Sequence, residues 1–599
     1  MFIGRFNSSL QYPKDYQDSH LEDLVTDENF YCCKTVEFKV YFFGMIYNRF
    51  ELGYTSTDNN AEIVAKLYKN GGYNAFSSLD GTFTVMFYFA DGTIAVIRDH
   101  HGTHSQVYYN DKYFASSLSL LRQTPDFSIE PNYSALGSFL TIGYIATPDS
   151  SFKNVFKLPA GHVLITKGND CEVKVIFNTD NIEPVTSDKS LESLSEEYGY
   201  LHKEAIRRRI GDSHNVGILL SGGYDSGCNL AALRSFYGGS IYSYSIGFKG
   251  DNWTELPLAR CMSETFQTVH QEYEINGSEI MNLPKIVEYL GDPFVEGGLM
   301  VNYAAMSMIG DSKPDIILGG DGSDQYFGTS GREVALHYLA AKYGVKLILN
   351  CIYKILNRAP FEKNIKPYRV RFHLDKILHI LDGDLFGFPT FLLKDLILSE
   401  DFMSISHSLI PDLRSFEHLY TQHTYKSDIE KIINQVILFK ASKMASMFGN
   451  HIAFPYMDTT LYQFLQRLPV EYKCRGNSVT EIARGHAVAK FLLKYRYKPI
   501  LPEVITTKKK QGGFAPMPIF FKDAAQRAKL ADFILSSSVT VDYLRKDKIE
   551  EFIRNYDKEA TETGKWFWYN QNKAIQYFNL LSLSVWWEIF VKGEKNISF

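Results

Sequence analysis

The stretch Val216-Gly217-Ile218-Leu219-Leu220 runs directly into Ser221-Gly222-Gly223-Tyr224-Asp225-Ser226. An apolar run of strand length delivers a turn with paired glycines, two serine hydroxyls and a carboxylate, and a helical pattern opens at about Gly227. Paired glycines let the backbone approach a ligand and turn its N–H groups inward. The helix N-terminus that follows adds partial positive charge. Such a turn is a cradle for pyrophosphate, and it predicts cleavage of ATP between its α and β phosphates to activate a carboxylate. Two commoner loops do not fit. A Walker loop needs a lysine after its glycines, and the dinucleotide fingerprint needs a third glycine at the helix start.

Around this turn, helices and strands alternate. The pattern predicts a helix over Leu191–Ile210, a strand over 215–220, a helix over 227–237 and a strand over Ile241–Phe248. A helix over Glu255–Phe266 and a strand over Val269–Tyr273 follow. That alternation implies a parallel sheet covered on both faces. A later buried strand, Asp315-Ile316-Ile317-Leu318, ends in Gly319-Gly320-Asp321-Gly322-Ser323-Asp324. Both glycine-rich turns then lie at strand C-terminal ends, where open α/β sheets bind ligands. After residue 330 the pattern is mainly helical. Residues 1 to about 180 read instead as β-rich, with a hairpin over Thr82–Phe89 and Thr93–Ile97 and one helix over Ala61–Tyr68 capped by Asp58 or Asn59. Periodicity is lost over Ile176–Asp188, a linker signal.

A chain of 599 residues exceeds one hydrophobic core, so two or three domains are expected. Hydrophobic content of 45% and charged content of 22% are those of a soluble globular protein. The formal charge of −5 gives no sign of nucleic-acid binding or of a polybasic membrane surface. Seven cysteines without a C-x-x-C pair suit reduced thiols in the cytoplasm. No signal-peptide pattern and no membrane-spanning run is present, and the apolar stretch Leu580–Val591 is short and broken by Glu588.

Asp225 and Asp324 stand on the two glycine-rich turns. Each alone suits a turn or helix cap; as a pair on two strand ends they suit Mg²⁺ shared with phosphate oxygens. His100, His101 and His104 raise a metal reading of their own.

The order of motifs resembles the asparagine synthetase B family. Ser-Gly-Gly-x-Asp-Ser matches at 221–226, and a Ser-x-Gly-Phe strand with a downstream acid and alanine matches at Ser245-Ile246-Gly247-Phe248, Glu255 and Ala259. Gly291-Asp292-Pro293-Phe294 is similar to the family's Asp-x-Pro-Phe, and Gly320-Asp321-Gly322-Ser323-Asp324-Gln325 to its second acidic loop. Pro455-Tyr456-Met457-Asp458 resembles Pro-Phe-Leu-Asp, and Lys510-Gln511-Gly512-Gly513-Phe514 resembles a late Lys-x-Gly-Phe loop. In the N-terminal part, Leu79–Phe83, Arg98–Gly102, Phe114–Ser117 and Leu158–His162 resemble motifs of the family's glutaminase domain, which makes a loop on a β-core the better account of the histidines.

The resemblance implies an α/β plus α+β chain. An Ntn-hydrolase-like sandwich of glutamine amidotransferase type would occupy 1–180. An ATP-pyrophosphatase domain, a parallel sheet with a helical C-terminal part, would occupy 189–599. It implies ATP and Mg²⁺ as cofactors. Ser221, Gly222, Gly223, Ser226 and Gly320 would line the phosphates. Leu219, Ser245, Ile246 and Gly247 would seat the adenine, and Asp225 and Asp324 would hold the metal. Asp321 and Lys510 would be catalytic, Lys510 by stabilising charge at the α-phosphate and acyl oxygen; Lys509 is the alternative, because an extra glycine offsets the match.

Two departures shape the expected reaction. The family's glutaminase uses an N-terminal cysteine, whereas this chain begins Met1-Phe2-Ile3-Gly4, and the family's Asn-Gly-Glu-Ile-Tyr-Asn reads Phe43-Gly44-Met45-Ile46-Tyr47-Asn48. Asp58 alone stands where an acid would hold the glutamine amine. Glutamine hydrolysis is therefore expected to be lost. In the other half, Glu-Ala-Arg-Val-Pro-Phe-Leu-Asp reads His451-Ile452-Ala453-Phe454-Pro455-Tyr456-Met457-Asp458, which puts aspartate as substrate in doubt. β-Lactam synthetases and lasso-peptide macrolactam synthetases also lack the cysteine and close an internal amide. The expectation is an AMP-forming ligase joining a small or peptide carboxylate to an amine not drawn from glutamine. For a peptide, a precursor-processing protease would be a partner; no nucleic acid and no membrane are expected. Amidation with free ammonia and a catalytically silent scaffold are the alternatives.

Overall fold

The structure is a computed structural model. It describes residues 1–7, 24–168, 170–177, 188–250, 254–310, 314–328, 331–383, 387–403, 409–508, 515–560 and 566–599. The late lysine loop expected at Lys509–Phe514, with Lys510, lies outside these residues, as does most of the linker expected at Ile176–Asp188.

Two antiparallel sheets form the N-terminal part. β1 (Phe2–Arg5) pairs with β2 (Leu24–Thr26) and β8 (Tyr113–Ala115), and β7 (Tyr108–Tyr109) joins β8 to β9 (Phe156–Lys157). The second sheet has the order β11 (Asp170–Val175), β10 (His162–Lys167), β6 (Ile94–Arg98), β5 (Gly81–Phe89), β4 (Phe38–Ile46), β3 (Tyr31–Lys34). Alternation in β4 and β5 sends Phe38, Val40, Phe42, Val85 and Phe87 to one core, and Tyr41, Phe43 and Met86 to another between the sheets. The helix Asn60–Gly71 covers the first of these cores and is capped by Asn59, whose side chain accepts from Ala61 N.

The second part is built on a parallel sheet of order β14 (Val269–Ile275), β13 (Ser240–Phe248), β12 (Asn215–Leu219), β15 (Ile316–Leu318), β16 (Ile452–Ala453). β12 is central because its apolar residues must be covered on both faces, and Val216 and Ile218 are fully buried. From β12 the chain first builds outward through β13 and β14, then returns to place β15 and β16 on the other side. The direction of winding therefore reverses between β12 and β15, and a crevice opens beyond their C-terminal ends. A long C-terminal helix, Phe567–Trp587, is buried almost throughout, and Trp586 Nε1 donates to Gly291 O at 2.8 Å. This explains the apolar run at 580–591 as core; among the described residues no helix is long and apolar enough to cross a membrane.

Candidate active site

The first glycine-rich turn sits at the end of β12. Gly222 has φ +74°, and a Cβ there would stand 2.8 Å from Leu258 Cβ, so only glycine fits. Ser221 and Ser226 close the turn: Ser221 N donates to Ser226 Oγ at 3.1 Å, and Gly223 N donates to Ser221 Oγ at 3.3 Å. The helix begins at Tyr224, three residues earlier than its apolar pattern suggests, which places Asp225 and Ser226 in its first turn. A carboxylate there is favoured by the helix dipole. The adjacent strand contributes Ser245, whose Oγ donates to Leu220 O at 2.5 Å, and Gly247, where a Cβ would meet Leu256 at 2.5 Å. Leu219 and Ile246, partly buried, complete the strand ends.

The second turn leaves β15, next to β12. Gly322 has φ +100°, and the short helix Ser323–Phe327 carries Asp324 in its first turn. The turns touch: a Cβ on Gly320 would lie 3.4 Å from Ser226 N. Asn229 ties them together, its Nδ2 donating to Gly319 O at 3.1 Å while its Oδ1 accepts from His202 at 2.8 Å. Behind the first turn, the Tyr456 hydroxyl of Pro455–Asp458 donates to Asp225 O at 2.9 Å.

One side chain that no local pattern singles out joins the two acids. Lys490 Nζ lies 2.7 and 2.8 Å from the Asp225 carboxylate oxygens and 2.6 Å from Asp324 Oδ1. Its residue is 5% exposed, and it sits at the start of the helix Phe491–Tyr497 with φ +53°. Positive φ in a lysine is strained and persists where the surroundings dictate it. Burial acts to lower the Lys490 ammonium pKa, but the charges of Asp225 and Asp324 outweigh burial and hold it above the ordinary range. The only signal in the sequence is a lone lysine after Ala487-Val488-Ala489 at a helix start.

A second charged group stands near the other turn. Desolvation by the surrounding protein pushes Asp321 up to about 6; Lys440 opposes this, and the charges of Glu296, Asp225 and Asp324 add to it. Lys440 is itself ion-paired to Glu296, both nearly inaccessible, and Glu296 Oε2 also accepts from Gly298 N at 2.7 Å. Glu296 lies two residues beyond Asp292-Pro293-Phe294, and Lys440 comes from the helix Leu438–Met447. Although Lys510 is outside the described residues, the chain reaches it from a defined point. Lys508 is ion-paired with Glu255, whose carbonyl oxygen packs under Gly222. At least this member of the lysine run is anchored beside the first turn rather than solvated.

The N-terminal part braces this crevice. His101 donates from Nδ1 to Asn434 Oδ1 at 2.8 Å and accepts at Nε2 from the Tyr326 hydroxyl at 2.6 Å, so it grips the helix that carries Asp324. Burial lowers His101 to about 4, consistent with a neutral imidazole holding both bonds. Arg209 pairs with Asp80 at 2.5 Å and Asp458 at 2.6 Å, while Asp458 also caps the helix Thr459–Arg467. Among the described residues no cluster of three or more metal-ligating side chains occurs, so His100, His101 and His104 form no such group. Where the family carries an asparagine, Phe43 is buried with its ring tilted against Phe2 at 5.2 Å and Phe30 at 5.9 Å, and Met45 is half exposed. Asp58 is occupied by its own turn, accepting from Thr55 N at 2.6 Å and Thr55 Oγ1 at 2.8 Å.

The asparagine synthase family pattern matches residues 198–588. The chain belongs to that family. A glutamine amidotransferase domain pattern matches residues 31–177. A curated relative, the glutamine-hydrolysing asparagine synthetase 1 of Bacillus subtilis, is 23% identical over 557 residues, 88% of this chain and 83% of that protein. The putative glutamine-hydrolysing asparagine synthetase 2 of Methanocaldococcus jannaschii is 28% identical over 300 residues, which span 48% of this chain and 57% of that one. A solved U34-tRNA thiolase of Methanococcus maripaludis aligns at TM-score 0.18 with 14% identity over 52% of this chain and 86% of its own. Membership in the asparagine synthase family supports a carbon–nitrogen ligase.

Proposed function

We propose that this chain adenylates a substrate carboxylate with ATP, releasing pyrophosphate, and that an amine not drawn from glutamine then displaces AMP. The observation that carries this reading is the meeting of two glycine-rich turns at neighbouring strand ends, with Asp225 and Asp324 bridged by Lys490. Inward N–H groups of Ser221–Ser226 and the Lys490 ammonium would bind the β and γ phosphates. The strand ends at Leu219 and Ser245–Gly247 would seat the adenine. Asp225 and Asp324 fit Mg²⁺: their hard oxygens are adjacent, both side chains are partly exposed, and Mg²⁺ binds through one or two carboxylates plus phosphate oxygens. Bound there, the metal would supply charge neutralisation on the phosphates.

In the first step a carboxylate oxygen attacks the α-phosphorus; the new P–O bond forms as the bond to the bridging oxygen breaks and pyrophosphate leaves. In the second, the amine attacks the acyl carbon, AMP leaves with the electrons of the C–O bond, and the amine loses a proton. We assign the acceptance of that proton to Asp321, which burial raises to about 6. Lys510 is assigned to the developing charge at the acyl oxygen.

Two features favour an amine other than glutamine-derived ammonia. Phe43 and Met45 replace an amide and a carboxylate in the glutamine segment, and the first of them is packed into an aromatic core. The bonds of Asp80 and His101 also give the N-terminal domain a purpose without hydrolysis: it holds the synthetase turns in place. An internal amine of the same substrate, as in lactam and macrolactam formation, is the reading we favour. ATP–pyrophosphate exchange, screened over small and peptide acids, tests the first step. Absence of exchange with every acid, together with no ATP binding by calorimetry, would remove the ligase reading. Glutamate release from glutamine tests the second claim; measurable release would overturn it.

A further inference from the structure

The helix Lys346–Leu356 presents an aliphatic face that none of the described residues covers. Leu347 is 76% exposed, Ile348 61%, Ile355 52% and Ile352 39%. Residues 348, 352 and 355 repeat at helical spacing, so they form one stripe with Leu347 beside it. The opposite side is anchored: Tyr353 donates its hydroxyl to Asp375 of the helix Ile365–Leu378, and Lys346 Nζ meets His337 Nε2 at 3.4 Å. The exposed face is therefore a fixed part of the surface.

Charge singles out what this face would meet. No Asp or Glu occurs from residue 334 to 361, whereas Lys342, Lys346, Lys354 and Arg358 all fall there. Over 334–374 there are eight Lys and Arg against Glu362 alone. Glu362 is buried between Arg371 at 3.0 Å and Lys573 at 3.1 Å, and Lys363 is paired with Glu551 at 3.2 Å, so these charges add little to the outward field, which rests on the exposed Lys342, Lys354, Arg358, Lys366 and Arg369. The chain as a whole has a formal charge of −5, which conceals this local excess.

We propose that this helix seats the protein on an anionic lipid surface, lying flat with Leu347, Ile348, Ile352 and Ile355 among the headgroups and acyl chains. Binding of such a helix scales with buried apolar area plus attraction of nearby cations to anionic lipid. In the chain, exposed Lys342 precedes this helix and exposed Arg358 follows it, and such long side chains can reach headgroups while their stems stay apolar. A helix of this length spans about 16 Å, enough to lie in the interface and too short to cross. A second copy of the chain is disfavoured as occupant, because a two-fold contact on this face would bring the same cations together.

Co-flotation with vesicles tests this. The intact chain is expected to float with phosphatidylglycerol vesicles, weakly with phosphatidylcholine alone, and to be released by raised salt. The pair Ile348→Glu and Ile352→Glu should weaken partition at least about tenfold, as should Lys354→Glu with Arg358→Glu. These side chains are exposed, so an unchanged thermal midpoint confirms that each variant is folded. Absence of flotation would overturn the proposal, and so would flotation indifferent to both pairs. Concentration-dependent dimerisation abolished by Ile348→Glu, or retention of an acidic protein without vesicle binding, would reassign the face and equally overturn it.

Discussion

Replacing Arg209 by Met should show how strongly the N-terminal domain grips the synthetase. Among the described residues, Asp80 keeps only weak partners in its absence: the Thr459 hydroxyl at 3.2 Å and the Thr459 N–H at 3.4 Å. Asp458 keeps Arg208 at 2.7 Å and its helix cap. Arg209 also lies 4.7 Å over the Tyr47 ring, and that contact goes too. Removing one partner of a buried pair costs about 3–5 kcal/mol, because a buried charge is left uncompensated. At about 2 °C per kcal/mol for a unit this large, the unfolding midpoint at pH 8 should fall by about 6–10 °C. The loss carries a pH signature. Burial already pushes Asp80 up to about 6 with Arg209 present, against a value near 3.9 in an unfolded chain. Without Arg209 it rises further, so the folded protein holds a proton that the unfolded chain releases. Stability then falls as pH rises through that range, and the Met variant should suffer less at pH 5.5 than at pH 8. Adding Asp80→Leu should restore part of the loss, since no lone charge remains. Differential scanning calorimetry at both pH values is the assay. A penalty below about 1 kcal/mol at pH 8, or one of equal size at both pH values, would refute the reasoning.

Lys490→Ala leaves Asp225 and Asp324 facing each other without their cation, and ATP binding measured by calorimetry should weaken roughly ten- to hundredfold, since a charge-assisted hydrogen bond contributes about 1.5–3 kcal/mol. Lys490→Arg should recover part of that affinity. If Asp321 accepts the amine proton, the rate of amide formation should rise with pH through about 6, and Asp321→Asn should flatten that limb while leaving pyrophosphate exchange in place. Lys510→Ala should slow amide formation more than ATP binding; turnover near that of the parent would show that another residue does this work.

Much of the fold was legible because its signals are local. The 2.0 residue period located the hairpin of β5 and β6 to within one residue at each strand end, and the 3.6 residue period located the helix Leu191–Ile210 at both of its ends. The start of the helix after the first turn was less legible. Tyr224, Asp225 and Ser226 carry no apolar periodicity, yet the turn's hydrogen bonds commit them to the helix. The site was half legible: glycines and acids at strand ends announce themselves through spacing, whereas Lys490, Glu296 and Lys440 do not. Lys490 lies 265 residues from Asp225 and Lys440 lies 144 from Glu296, and no local preference encodes such a pairing.

By itself the sequence determined the chemical groups that each segment carries: a glycine-rich turn with two hydroxyls and an acid at 221–226, a second acidic turn at 319–324, and Phe43 and Met45 where the family has an amide and a carboxylate. Those properties follow from the φ freedom of glycine, the charge of Asp and the apolar character of Phe, which belong to residues. Only the tertiary structure decided that the two turns touch, because the winding of the sheet sets β15 against β12. It also decided that one ammonium holds both acids and that Asp80 and His101 of the N-terminal domain brace them. Burial makes these choices consequential: in a low-dielectric interior each charge must find a partner, and the partner is whichever side chain the fold brings near.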